Sequence, residues 1–197
     1  MDVIYRPARK EECPGLAELS HLASGGVADF LFQGLLPGLT TVEIMAHGLT
    51  QEQGSHSYRN ALVAVRGGEV VGMALSFDAD RHGITEQMRA FFPAERLARM
   101  EDFYHARVEK SWFLDAIGVR EDAQRQGIGG HLIERTKERA RQHGRSVVSL
   151  IAFADNEPAL ALYRRHGFEV VRPVRLDEAP LISHQGGCLL LRCDLEE

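Results

Sequence analysis

Cysteine is scarce in this chain: among 197 residues there are three, Cys13, Cys188 and Cys193. They lack the short paired spacings of a zinc site and the even number of a disulfide framework. Cys188 and Cys193 share one predicted strand, where an odd offset sends their side chains to opposite faces, so they read as reduced packing residues. The nine histidines are scattered, with no pair at ligand spacing on a helix face, and no metal is expected. Runs of positive charge are absent too. The 23 Lys and Arg are interspersed among 28 Asp and Glu for a net charge of -5, whereas binding a phosphate backbone needs clustered cations, so nucleic acid is not an expected partner. No stretch approaches the roughly 20 apolar residues that cross a bilayer. The opening Met1-Asp2-Val3-Ile4-Tyr5-Arg6 lacks the basic start and apolar run of a secretory signal. A cytoplasmic protein without a membrane partner is the expectation. Internal repeats and low-complexity tracts are also missing.

The length, with 44% hydrophobic residues, supports one sizeable core and a single domain over 1–197. A short strand is expected at 3–6 and a helix over 11–23, in which Leu16, Leu19 and Leu22 recur near helical spacing. Ser24-Gly25-Gly26 breaks it. A second helix is predicted over 27–35, closed by Pro37-Gly38, and a short third over 41–48. Two β-branched and apolar runs, 61–65 and 70–77, flank Gly67-Gly68 and signal a hairpin. Residues 79–110 are rich in charges and helix formers, with Leu97, Met100, Tyr104 and Val108 spaced for a helix behind Phe92-Pro93. They read as a helical insertion between strands. Strands follow at 111–119, 147–153, 168–174 and 188–195, with helices over 127–143 and 156–166, each stopped by a glycine, Gly144 and Gly167.

The chemistry concentrates in Leu114-Asp115-Ala116-Ile117-Gly118-Val119 and, after a charged turn, Gln124-Arg125-Gln126-Gly127-Ile128-Gly129-Gly130-His131-Leu132. A strand runs into a glycine-bearing turn that opens a helix. The first amides of a helix lack intrahelical acceptors and the macrodipole adds partial positive charge, so several N–H groups converge on an anion there. Glycine at Gly127 and Gly129 takes away side chains that would hold a phosphate off the backbone. A P-loop would need Lys and then Ser or Thr where Gly130 and His131 stand. A dinucleotide fingerprint would need a glycine or alanine where Leu132 stands, although Asp155 could imitate the ribose-binding acid. An ordinary glycine-containing helix start is the plain alternative.

The spacing Gln124, two residues, Gly127, one residue, Gly129 resembles the acetyl-CoA signature of the GNAT superfamily. Further on, Asn156-Glu157-Pro158-Ala159-Leu160-Ala161-Leu162-Tyr163, ending in Gly167-Phe168, resembles its second motif. Asn156, Ala159 and Tyr163, three and four positions apart, share one helical face. The resemblance covers 112–174 with specific motifs and 3–77 only in the order of elements. It implies an α/β, mixed α+β fold: a central mixed, mostly antiparallel sheet flanked by helices, with a central strand pair that splays apart. It implies acetyl-CoA as cosubstrate, held by Ile117, Gly118 and Val119 along the pantetheine and by Gln124, Arg125, Gln126, Gly127, Ile128, Gly129 and Gly130 at the pyrophosphate. Asn156, Ala159 and Tyr163 would line the same groove.

By the same resemblance the expected reaction is direct transfer of an acetyl group to a primary amine, with a small molecule preferred over a peptide or protein. Tyr163 is the candidate general acid for the departing sulfur, against a plain packing role. Asp115 is the candidate base or amine-orienting group, against a carboxylate bonded within the sheet. Asn156 either bonds the cofactor or caps its helix. The insertion at 79–110 departs from the tight turn usual in the family, and either shapes the acceptor pocket or a dimer interface or is a solvated insert. A homodimer is the family habit, and a non-catalytic acyl-CoA binder is the rival class.

Overall fold

A computed structural model describes residues 2–177 and 179–196. Its centre is a seven-stranded sheet: β1 (Ile4–Pro7), β2 (Ala61–Arg66), β3 (Glu69–Asp78), β4 (Trp112–Val119), β5 (Val147–Phe153), β6 (Glu169–Val174) and β7 (Cys188–Asp194), in spatial order β1-β2-β3-β4-β5-β7-β6. Every neighbouring pair is antiparallel except β4 and β5. The helices are α1 (Cys13–Ala23), α2 (Val27–Phe32), α3 (Thr41–Leu49), α4 (Glu86–Phe91), α5 (Ala94–Arg99), α6 (Glu101–His105), α7 (Ile128–Gln142) and α8 (Glu157–Arg165). The expected mixed, mostly antiparallel architecture is what the chain adopts.

Local chemistry explains where these elements begin and turn. Thr40 opens α3 with a reciprocal cap: its Oγ1 accepts from Glu43 N at 3.2 Å, while Glu43 Oε2 accepts from Thr40 N at 2.7 Å. The β2–β3 turn uses Gly67 at φ 62° and Gly68 at φ 88°, the paired left-handed conformations that match a hairpin to the twist of its strands. In α1, Leu16 and Leu19 are buried as expected, but Leu22 is 57% exposed. Helix α2 stops at Phe32, short of the predicted 35, and Gly34 follows at φ 74°.

The sheet is covered on both faces. On one, α7 and α8 pack Ile128, Leu132, Ile133 and Leu160 onto Leu114, Val148 and Leu150. On the other, α1 and α3 cover β1 to β4 through Leu16, Leu19 and Leu49 against Val63 and Met73, and the insertion covers β5 to β7 through Leu97 and Met100 against Val174 and Leu190. Cys188 belongs to the second face and Cys193 to the first, as the odd offset requires. Phe77, Ala79 and Phe113 fill the seam between the two halves of the second face.

The single helix expected around Leu97, Met100, Tyr104 and Val108 is instead interrupted. Met100, at φ -100° and ψ 8°, separates α5 from α6, Pro93 precedes α5, and Val108 lies beyond α6. Leu97 and Met100 are still buried; the apolar spacing reports a shared core, which three short helices satisfy as well as one long one.

Candidate functional site

Two irregularities in β4 create the site. Its pairing with β5 runs only from Trp112 to Leu114, so beyond Leu114 the edge of β4 that faces β5 has no strand beside it. Its pairing with β3 skips a residue, because Leu75 opposes Ala116 while Ser76 opposes Leu114. Asp115 is the unopposed residue of a β-bulge. The consequence is visible in the packing: Trp112 and Leu114 face the α7 side, and so do Ile117 and Val119, an even-to-odd change that strand alternation forbids without one extra residue. Asp115 therefore turns to the second face, at the point where β4 and β5 separate.

Three other segments converge there. His56, from the loop between α3 and β2, places Nε2 3.3 Å from Asp115 Oδ2 and its ring edge-on to Phe77. His82, from the start of the insertion, packs tilted on Phe113 with ring centroids 4.1 Å apart and sets Nε2 3.1 Å from the Phe103 carbonyl. A carbonyl only accepts, so Nε2 carries the proton. Tyr104 packs on His82 from α6.

Burial would raise the Asp115 carboxyl, but His56 and then His82 beside it hold it below the usual range. For His56 the cleft walls cost solvation even though its ring keeps 60% of its surface open; the charge and contact of Asp115 outweigh that and raise it. Burial dominates at His82 and lowers it despite Asp115. Burial, reinforced by Asp115, raises the Tyr104 phenol. One carboxylate thus stands beside an open imidazole that holds its proton more firmly and a sealed imidazole that is neutral.

On the opposite face lies the glycine loop. Arg125 at φ 61° and Gly127 at φ 81° both take the left-handed region, folding the chain so that α7 begins on an uncapped turn. No backbone amide from 125 to 130 donates to an acceptor among the described residues; the first that does is His131, to Gly127 O at 3.1 Å. Gln124 Nε2 donates to Val119 O, and Gln126 bridges from Asp122 O to Arg66, which holds the loop's side chains off those amides. Such a row of free donors at the start of a 15-residue helix fits a pyrophosphate. At Gly129 the missing Cβ points toward Leu162, 3.3 Å away, and at Gly130 toward His166 Nε2 at 2.8 Å. Those two glycines let α8 lie close against α7. His166 is tied down by Glu134 at 2.7 Å, and Lys137 donates to the His166 carbonyl at 2.8 Å.

The remaining candidates lie along α8. Asn156 Oδ1 accepts from Ala159 N at 3.2 Å and so caps the helix. Tyr163 is buried against Phe168, and burial pushes its phenol up to about 12. Its hydroxyl bonds to no group among the described residues, yet it is not among the sealed, unpartnered polar atoms, so it remains reachable. Asp115 faces the second side of the sheet, and Tyr163 packs into the core on the first. The β4–β5 gap is open on the β4 edge along Ile117, Gly118 and Val119, where an extended chain with amides can add as a strand. His56, His82 and Tyr104 had no signal in the sequence, since they come from three segments that only the topology brings to Asp115. No three His, Cys, Asp or Glu among the described residues are grouped to hold a metal, and no described helix is long and apolar enough to cross a membrane.

Comparison with known proteins converges on one family. The family model described as the acetyltransferase (GNAT) family matches residues 41–168. A mycothiol acetyltransferase of Jonesia denitrificans is 36% identical over 86 residues, 42% of this chain and 27% of that protein, so the chain spans well under half the length of this curated relative. A crystal structure of an acetyltransferase superposes with a TM-score of 0.69 at 22% identity, covering 98% of this chain and 100% of the other. A putative acetyltransferase from Salmonella typhimurium, solved with its cofactor acetyl-CoA, gives 0.59 at 16% identity, covering 100% and 96%.

Proposed function

We propose that this chain, which belongs to the acetyltransferase (GNAT) family, passes an acetyl group from acetyl-CoA directly to the primary amine of a small molecule. The observation that carries the reading is the row of unpartnered amides from 125 to 130 at the start of α7, beside a β4 edge left open where β5 departs. In this reading the 125–130 amides and Gln124 hold the pyrophosphate end of the cosubstrate, Arg125 adds charge at the rim, and Ile117 to Val119 bond its pantetheine amides. Asn156 and Ala159 shape the groove from α8.

Asp115 supplies the negative charge that draws a cationic amine to the second face. Tyr163 serves the departing sulfur from the first. A phenol at about 12 is a weaker acid than a thiol at about 8.5. Tyr163 therefore stabilises the developing thiolate through a donated hydrogen bond more than by complete proton transfer. A small acceptor is favoured because the insertion brings His82 and Tyr104 over Asp115, narrowing the side from which a peptide would enter. A homodimer belongs to the same reading: β6 is an edge strand with Val170 and Val171 half exposed, and such edges invite pairing.

Calorimetric titration with coenzyme A tests the first half. Wild type should bind, and Gly127→Val should weaken binding at least tenfold, since a β-branched residue is strained at φ 81° and crowds the amides. Thiol release from acetyl-CoA with a panel of primary amines tests the second. Binding without release by any amine would make the chain a non-catalytic acyl-CoA binder, and stabilisation by nicotinamide nucleotides in place of coenzyme A would overturn both halves.

A further inference from the structure

We propose that His56 is the general base of the acetyl transfer and that Asp115 is its positioning residue; the inference rests on the acetyltransferase reading above. The loop that carries His56 is held in place on both sides of it. Both neighbours of the histidine are pinned: Ser55 Oγ donates to the Arg81 carbonyl at 3.0 Å, and Ser57 Oγ donates to the Gln51 carbonyl at 2.6 Å. Asn60 Nδ2 donates to the carbonyls of Gly54 and Ser55 at 2.9 and 2.8 Å. A loop without helix or strand is thereby held in one conformation, and the Ser55 bond fastens it to the insertion. Such preorganisation is what a proton-transferring group requires.

The ring is oriented as well. Nε2 faces the Asp115 carboxylate at 3.3 Å, which favours the tautomer with its proton on Nε2 and leaves the Nδ1 lone pair free. An edge-to-face contact with Phe77 fixes the tilt of the ring. Asp115 itself is less suited to the task. Two histidines share its charge, and a carboxyl held below its usual range is a poor proton acceptor at neutral pH. His82 is also unsuited, being 3% exposed with Nε2 committed to Phe103 O. His56 alone of the three combines a ring nitrogen without a partner among the described residues with an open path to solvent.

His56 Nδ1 takes one proton from the acceptor ammonium, giving a neutral amine. The amine nitrogen forms a bond to the thioester carbonyl carbon, the carbon–sulfur bond breaks, and the sulfur leaves as thiolate. The second proton lost by the nitrogen as it becomes an amide ends on that sulfur, and the proton on His56 passes to solvent through the open edge of its ring. Acetyl-CoA and an alkylammonium become the N-acetyl amide, coenzyme A and one released proton.

The titrating groups facing His56 are Asp115 from β4, His82 and Arg81 from the insertion, and Tyr104, which faces Asp115 from α6. Only Asp115 favours the cation. The test combines histidine-ring NMR titration with the pH dependence of kcat/KM for whichever panel amine gives thiol release. His56 should titrate above its ordinary value of about 6.5 in wild type and lower in Asp115→Asn. The acid limb of kcat/KM should move down with it. His56→Gln should lose about 100-fold or more in kcat with coenzyme A affinity unchanged, and Asn60→Ala, which frees the loop, should lower kcat without shifting the limb. Added imidazole should restore part of the His56→Gln rate. If His56→Gln keeps wild-type kcat, or its acid limb is that of wild type, His56 is not the base while acetyl transfer stands. If wild type binds coenzyme A and acetylates no amine, the acetyltransferase reading fails and this inference with it.

Discussion

The α-hydrogen of Gly118 looks straight at the carbonyl oxygen of Leu19: a Cβ built on Gly118 would stand 2.6 Å from it. The backbone of α1 crosses β4 at that point, and only glycine permits the approach. Gly118 thus serves the sheet from its α1 side, opposite the face that α7 covers. Gly118→Ala should lower unfolding stability by about 1–3 kcal/mol. Gly15→Ala in α1, where an added Cβ meets nothing within 4 Å, should raise it by about 0.5–1 kcal/mol. Paired urea denaturation curves check both, and a Gly118→Ala as stable as wild type would remove the packing account.

The two strands that separate at the site are fastened below the gap by a buried hydroxyl pair. Ser111 Oγ donates to the Val108 carbonyl at 2.7 Å and lies 2.7 Å from Ser149 Oγ. Ser111 has one proton and has given it away, so Ser149 is the donor between them. The two alanine variants should therefore differ. Ser149→Ala leaves only a lone pair unmet and should cost about 0.5–1.5 kcal/mol, whereas Ser111→Ala strands the buried Ser149 hydroxyl, the Val108 carbonyl keeping its bond from the residue 111 amide, and should cost about 1–3 kcal/mol. Equal losses would contradict the assigned direction.

Tyr163→Phe removes one oxygen from a residue whose ring is part of the core. Because the hydroxyl bonds nothing among the described residues, stability should change by less than about 0.5 kcal/mol. Turnover should fall about tenfold to a hundredfold if the phenol assists the departing sulfur. Thermal unfolding and single-turnover thiol release separate the two effects, and an unchanged rate assigns Tyr163 to packing alone.

Several carboxylates are held below their ordinary range: Glu12 chiefly by its bond from Arg6, Asp102 chiefly by the Arg175 amide and then Arg172, and Asp115 by His56 against the cost of burial. A lowered carboxyl stabilises the fold fully above its unfolded value near 4, and that contribution is lost as pH falls through the folded value. His56 has the opposite sense, contributing below about 6.5 and losing its share as pH rises through its raised value. Urea midpoints should therefore drop steeply below pH 4, less steeply for Asp102→Asn, and decline mildly above neutrality. The mild decline should vanish in His56→Gln.

The order of strands, the hairpin at Gly67-Gly68 and the glycine loop were legible in the residues because each depends on local periodicity or backbone freedom. The start of α8 was legible for the same reason, although Asn156 had two readings and its bond to Ala159 N is the capping one. Asp115 could be singled out only by its place before Ile117 to Val119. The bulge that turns it depends on how β3 registers against β4, a non-local property without a sequence mark. His56, His82 and Asp115 are tens of residues apart, and a scan for spaced ligand or catalytic pairs passes over them. Within the insertion, apolar spacing identified Leu97 and Met100 as core but not the break at Met100, where tertiary packing overrides helix periodicity.

The insertion leaves the sheet at Asp78 and returns at Trp112, and those two residues sit directly across from each other in the β3–β4 ladder. Topologically the whole segment is one oversized hairpin loop, with both ends fixed side by side whatever lies between. Its length can change at a loop-closure cost of only about 0.6 kcal/mol per doubling, provided that Leu97 and Met100 still cover β5 to β7. On the proposed reading, exchanging this segment between proteins of the fold, with its sheet-covering residues kept, should alter which amine is accepted.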